Sequence, residues 1–86
     1  MPSIYPNDYR NVIAALVRAR KEKCITQVQL AAAMRVPQSL ISKAERGERR
    51  LDIVEILHIC ALLDVPVSQL INTVPVRLAP LAKKTL

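Results

Sequence analysis

The chain has 86 residues, a formal net charge of +6, 51% hydrophobic and 23% charged residues, and only one Gly against six Pro, which describes one small globular domain with an aliphatic core. Two Cys and one His cannot form a four-ligand zinc site, and a lone His without a Ser or Cys motif beside it gives no catalytic triad. With Phe and Trp absent there is no stacking platform for single-stranded nucleic acid, and no apolar run reaches the ~18 residues of a membrane span.

Residues 1–6 read as an irregular lead-in ending at Pro6, with neither the basic nor the apolar run of a secretory signal. Cys24 and Cys60 are therefore expected as reduced thiols in a cytosol. Asn7 or Asp8 can cap a helix over about residues 9–23, whose Val12, Ile13, Leu16 and Ala19 follow the helical period. Thr26 with Gln29 is a capping-box signature opening a helix over about 27–34, with Leu30, Ala31 and Met34 on one face. Arg35-Val36-Pro37 must turn, because Pro disfavours helix in the residue before it. Pro37 then leads into a helix over about 38–46, closed by Gly47 as the left-handed residue after its end. Asp52 with Glu55 is a second capping box, opening a helix over about 53–63 that buries Ile56, Ile59, Cys60 and Leu63. A fifth short helix starts at Val65-Pro66 and runs to about Ile71, and residues 72–86 form a tail in which Val74, Val76 and Leu78 alternate.

Charge is concentrated in the first half. Between Arg10 and Arg50 there are ten basic residues against three acids, whereas from Leu51 onward the signs balance. A polyanion is the natural partner of such a surface, and nucleic acid is the commonest soluble one. The two short helices with a three-residue turn between them lie at the centre of this basic half, and that is helix-turn-helix geometry.

Thr26-Gln27, Leu30-Ala31, Val36, Ser39, Ile41-Ser42 and Glu45-Arg46-Gly47 resemble the signature of the phage-repressor/Cro-like (XRE) helix-turn-helix family, and Ile56, Ile59-Cys60, Leu63, Val65 and Leu70 resemble its fourth and fifth helices. The resemblance covers residues 9–71 and implies an all-α, five-helix lambda-repressor-like DNA-binding domain, after a lead-in of residues 1–8 and before a short irregular tail of residues 72–86. The chain departs from the family at Cys24 and Arg35, where Gly is usual, and at Pro37, where a capping side chain is common. If the backbone at Cys24 and Arg35 keeps a positive φ, each costs about 1 kcal/mol; otherwise the turns are reshaped.

By this resemblance the third helix is the recognition helix. Gln38, Ser39 and Lys43 are expected on base edges in the major groove, since Gln suits adenine, Lys suits guanine and Ser is permissive. Gln27, Ser42, Arg46, Arg49 and Arg50 are expected on phosphates, Gln27 at a helix N-terminus whose amides favour an anion. Arg20 and Glu45 match a structural ion pair, and Leu40 either covers the domain edge or meets a thymine methyl. His58 falls on a polar-facing position of the fourth helix.

The implied function is a sequence-specific regulator of transcription on double-stranded DNA, a repressor acting as a homodimer on a palindromic operator. Leu57, Leu62, Ile71 and Val74 are the candidate dimer contacts. No enzyme activity, cofactor, metal, membrane contact or small-molecule ligand is expected, and the setting is the cytoplasm of a bacterium, at the nucleoid or encoded by a phage. With only a tail after the domain, control is expected from concentration, a partner or a competing repressor. The alternative is an antitoxin-type interaction module that masks a partner protein with Val74 to Leu81 and regulates itself by binding DNA.

Overall fold

Local signals set most helix boundaries in the computed structural model, which describes residues 6–75, 80 and 81. Five helices, α1 (Pro6–Glu22), α2 (Gln27–Met34), α3 (Gln38–Glu45), α4 (Ile53–Leu63) and α5 (Val67–Ile71), follow one another, and the described residues contain no strand. The all-α, five-helix expectation from the sequence holds.

α2 and α4 start at the two capping boxes. The Thr26 hydroxyl accepts from the Gln29 amide at 3.0 Å while the Gln29 side chain accepts from the Thr26 amide at 2.8 Å. Asp52 and Glu55 repeat this at 2.8 and 2.9 Å. α3 and α5 follow Pro37 and Pro66, which offer no side-chain cap. Three boundaries differ from the sequence reading. α1 starts at Pro6, three residues early, because the first helical turn has no need of a proline N–H. Asp8 therefore lies within that turn, facing the positive end of the helix dipole rather than capping it. α3 ends at Glu45 with Arg46 as its cap, and α5 starts at Val67 rather than at Val65.

Four helix ends share one motif. Cys24, Arg35, Gly47 and Asp64 have φ of 58, 58, 76 and 54°. After each, the next amide reaches back across the last turn: Ile25 to the Arg20 carbonyl at 3.1 Å, Val36 to Ala31 at 3.0 Å, Glu48 to Lys43 at 2.9 Å and Val65 to Cys60 at 3.0 Å. This is the Schellman end, which satisfies carbonyls that a helix otherwise leaves orphaned. At Cys24 and Arg35 the turn thus keeps its left-handed backbone without glycine, at a cost of about 1 kcal/mol each. Asp64 does the same, a position the sequence reading did not single out.

The core is aliphatic. α1 contributes Ile13, Ala15, Leu16 and Ala19; α2 Leu30 and Ala31; α3 Ile41 and Ala44; α4 Ile59, Cys60 and Leu63; α5 Leu70; and the α3–α4 loop Leu51. Val12, Met34 and Ile56, expected inside, are half-buried and pack on its edge. Both cysteines are free thiols; burial pushes the Cys60 thiol up, and Cys24 is exposed. Val76 and Leu78 of the expected alternating segment lie outside the described residues, and Val74 is half-buried. α4 is apolar on both sides, because Ile53, Val54, Leu57 and Leu62 face solvent opposite its buried stripe.

Candidate nucleic-acid interface

Buried Ile41 and Ala44 seat α3 on the core, so the helical period turns the rest of the helix outward. Gln38, Ser39 and Lys43 are all exposed along this outer side, and Ser42 is half-buried. Leu40 packs against the core edge. The turn before α3 holds α2 and α3 together through Leu30, Ala31 and Ile41, which lie in one cluster.

One carboxylate fixes three helices. Glu45, the last residue of α3, accepts from Arg20 Nε at 2.6 Å and from Arg20 Nη2 at 2.8 Å, which joins α3 to α1. It also accepts from Gln27 Nε2 at 2.9 Å, which joins it to the start of α2. Arg20 Nη1 completes its own fork on the Ile25 carbonyl at 2.7 Å. Arg20 is 7% exposed, so this charge lies inside the protein with its donors engaged. Burial pushes the Glu45 carboxyl up, but hydrogen bonds from Arg20 and Gln27 and the charges of Arg20 and Lys21 outweigh it and hold the group below its ordinary value. Gln27, expected to face a phosphate, thus has its side chain on Glu45. The amides of Gln27 and Val28 still have no carbonyl ahead of them in the helix, and they remain the donors that α2 offers to an anion.

The loop after α3 is braced in the same way. Arg46 donates to Glu48 at 2.5 Å and to the Ser42 hydroxyl. Arg49 turns to α4, where it meets Glu55 at 2.9 and 3.2 Å, and it also donates to the Arg50 carbonyl at 3.1 Å. Arg50 lies over the Tyr9 ring, 4.1 Å from its centre, and the Tyr9 hydroxyl accepts from the Leu51 amide at 2.8 Å. Arg46 holds the Glu48 carboxyl below its ordinary value, and Arg49 does the same for Glu55. Of the expected phosphate residues, Ser42, Arg46 and Arg50 lie along the end of α3 and its loop, while Arg49 is drawn away from them. The sequence reading missed Tyr9 as a brace, Gln27 as a third member of the clasp and Glu55 as the partner of Arg49. Only Glu55 carried a signal, through its spacing from Asp52, and that signal pointed to a cap.

Among the described residues no three His, Cys, Asp or Glu side chains gather as a metal site requires, and no helix is long and apolar enough to cross a membrane. No curated protein matches the chain. A helix-turn-helix family model matches residues 16–70, from the middle of α1 to the buried Leu70 of α5. That span takes in the paired α2 and α3, the clasp that aims them and the loop behind them, and on it the chain belongs to the XRE-type helix-turn-helix family of DNA-binding transcriptional regulators.

Proposed function

We propose that the protein is a repressor that binds a palindromic operator in double-stranded DNA as a homodimer. Residues 9–71 form the DNA-binding unit and residues 72–86 an arm beyond it. The observation that carries this reading is the outer side of α3, where Gln38, Ser39 and Lys43 stand exposed on a helix anchored by Ile41 and Ala44. In this reading Gln38 takes adenine, Lys43 takes guanine and Ser39 fits between them. The start of α2 at Gln27, with Ser42, Arg46, Arg49 and Arg50, holds phosphates on either side. Arg49 must leave Glu55 to do so, and its contribution is correspondingly smaller. Repression is occupancy of the operator, in the cytoplasm of a bacterial cell and without a cofactor.

Dimerisation is supported by the exposure of Leu57, Leu62 and Ile71. Val74, half-buried, has less surface left to contribute. A two-fold dimer puts the same α3 face into the groove twice, with half-sites about one helical turn apart. The same exposed leucines favour a second reading, an antitoxin-type module whose apolar side masks a protein partner; co-purification of a stoichiometric second protein would distinguish it.

The test is random-site selection on duplex DNA, followed by affinity measurements on the selected and a scrambled duplex at several salt concentrations. Gln38→Ala is expected to lose about 1–3 kcal/mol of discrimination at one base position with little change on the scrambled duplex. Arg50→Ala is expected to weaken both duplexes alike and to lower the salt slope by about one. Equal weakening of both duplexes by Gln38→Ala would show that α3 does not read sequence.

A further inference from the structure

A cleft of about 330 Å³ opens between the first turns of α1 and the end of α3, and Tyr9, Arg10, Glu45, Arg46, Gly47 and Arg50 line it. Three guanidiniums and one carboxylate therefore face a single space. The carboxylate does not neutralise them, because Glu45 is already held by Arg20 and Gln27 from the core side. Arg46 has an acidic partner in Glu48, but among the described residues neither Arg10 nor Arg50 makes an ion pair. Arg50 is nevertheless held in place, its plane over the Tyr9 ring and that ring fixed at its far end by the Leu51 amide. At Gly47 the wall is bare backbone with nothing within 4 Å of where a Cβ would stand, so a ligand can approach the chain closely there. Like charges gathered without acids repel, and an anion seated among them removes that repulsion.

We propose that this cleft seats a phosphodiester of the DNA backbone and that Arg10, on α1, is the contact that completes it. The inference rests on the DNA-binding reading and adds a phosphate beyond those held by α2, α3 and the loop. Arg10 comes from a different helix than Arg46 and Arg50, so a phosphate held by all of them locks α1 to the recognition helix when DNA is bound. The chemistry recognised is a phosphoester oxygen, which a free nucleotide also carries; continuity of the cleft with the loop after α3 favours the backbone.

The experiment compares wild type, Arg10→Gln, Arg10→Lys and Arg18→Gln, the last an exposed α1 control outside the cleft, by duplex affinity against salt. Arg10→Gln is expected to weaken selected and scrambled duplexes alike, about five- to tenfold at 0.1 M salt, and to lower the salt slope by about 0.9. Arg10→Lys is expected to keep the slope, and Arg18→Gln to match wild type. If Arg10→Gln behaves like Arg18→Gln while wild type binds duplex, the cleft is no DNA contact and the proposal falls, with the DNA-binding reading intact. If wild type binds no duplex even at 50 mM salt, the DNA-binding reading falls and takes the proposal with it. Titration with inorganic phosphate and with AMP, followed at the Gly47 amide by NMR, separates the two sources. Saturable AMP binding that Arg10→Gln abolishes, with duplex affinity unchanged, overturns the backbone assignment in favour of a nucleotide site.

Discussion

The first three helices are joined to one another by polar groups, whereas the fourth and fifth rely on aliphatic packing. Around α3, a buried guanidinium, a carboxylate, a carboxamide and a tyrosine hydroxyl each reach a named partner on another element. α4 instead carries apolar residues inside and outside, with Ile59, Cys60 and Leu63 in the core and Ile53, Val54, Leu57 and Leu62 in solvent. Apolar packing is non-directional and tolerates small rotations of a helix. Directional hydrogen bonds do not, and a recognition helix turned by one residue would present different side chains to the groove. Directional bonds thus lie where aim matters, and the apolar excess lies where a second surface can cover it.

The sharpest way to break this contrast is at the clasp. Arg20→Met is expected to destabilise the fold by about 2–4 kcal/mol, because Glu45 would keep its charge in a largely buried place, and Glu45→Gln is expected to approach this. Glu48→Gln, whose partner Arg46 is solvent-exposed, should cost at most about 1 kcal/mol in the same chemical denaturation series. Acid should act on the same group. Since the folded chain holds the Glu45 carboxyl below its ordinary value, its pairing stabilises the fold above pH ~4.3 and is lost as pH falls through the lower folded value. The acid limb of the stability profile should therefore flatten in Glu45→Gln.

On the apolar side, Leu57→Glu and Leu62→Glu are expected to leave folding intact and to weaken self-association by about 2 kcal/mol each, roughly thirtyfold. Sedimentation equilibrium checks this against the monomer fraction of wild type, and unchanged association would detach α4 from the dimer. Smaller still is the tyrosine brace. Tyr9→Phe removes the acceptor for the Leu51 amide and is expected to cost about 1 kcal/mol in thermal or chemical unfolding.

The same divide explains what could be read in the sequence. Capping boxes are local, and Thr26 with Gln29 and Asp52 with Glu55 located the starts of α2 and α4 to the residue. The helical period placed Ile41 and Ala44 inside and Gln38, Ser39 and Lys43 outside. The family likeness paired Arg20 with Glu45, 25 positions apart. Gln27 on Glu45 and Tyr9 on Leu51 were not legible, because 18 and 42 residues separate those partners and no pattern links them. Arg49 counted as one more charge in a basic loop, and only the fold brings Glu55 within its reach. Composition showed that the C-terminal half holds more apolar residues than a short helix can bury. Which of them face outward needed the register of α4 against the core.

The helix ends at Cys24, Arg35 and Asp64 bear on the other side of the folding equilibrium. Glycine there would relax the native backbone, yet each added glycine would also widen the range of conformations open to the unfolded chain. With a single glycine in 86 residues, this polypeptide is comparatively stiff before it folds, and it loses less disorder in folding than a glycine-rich chain of equal length. The two effects have similar size and opposite sign. Cys24→Gly is expected to change stability by less than about 1 kcal/mol in denaturant titration, and Asp64→Gly by less again, since aspartate already tolerates the left-handed region better than cysteine does. The strained turns and the scarcity of glycine are thus coupled: local conformational strain in the native state is offset by a smaller unfolded ensemble.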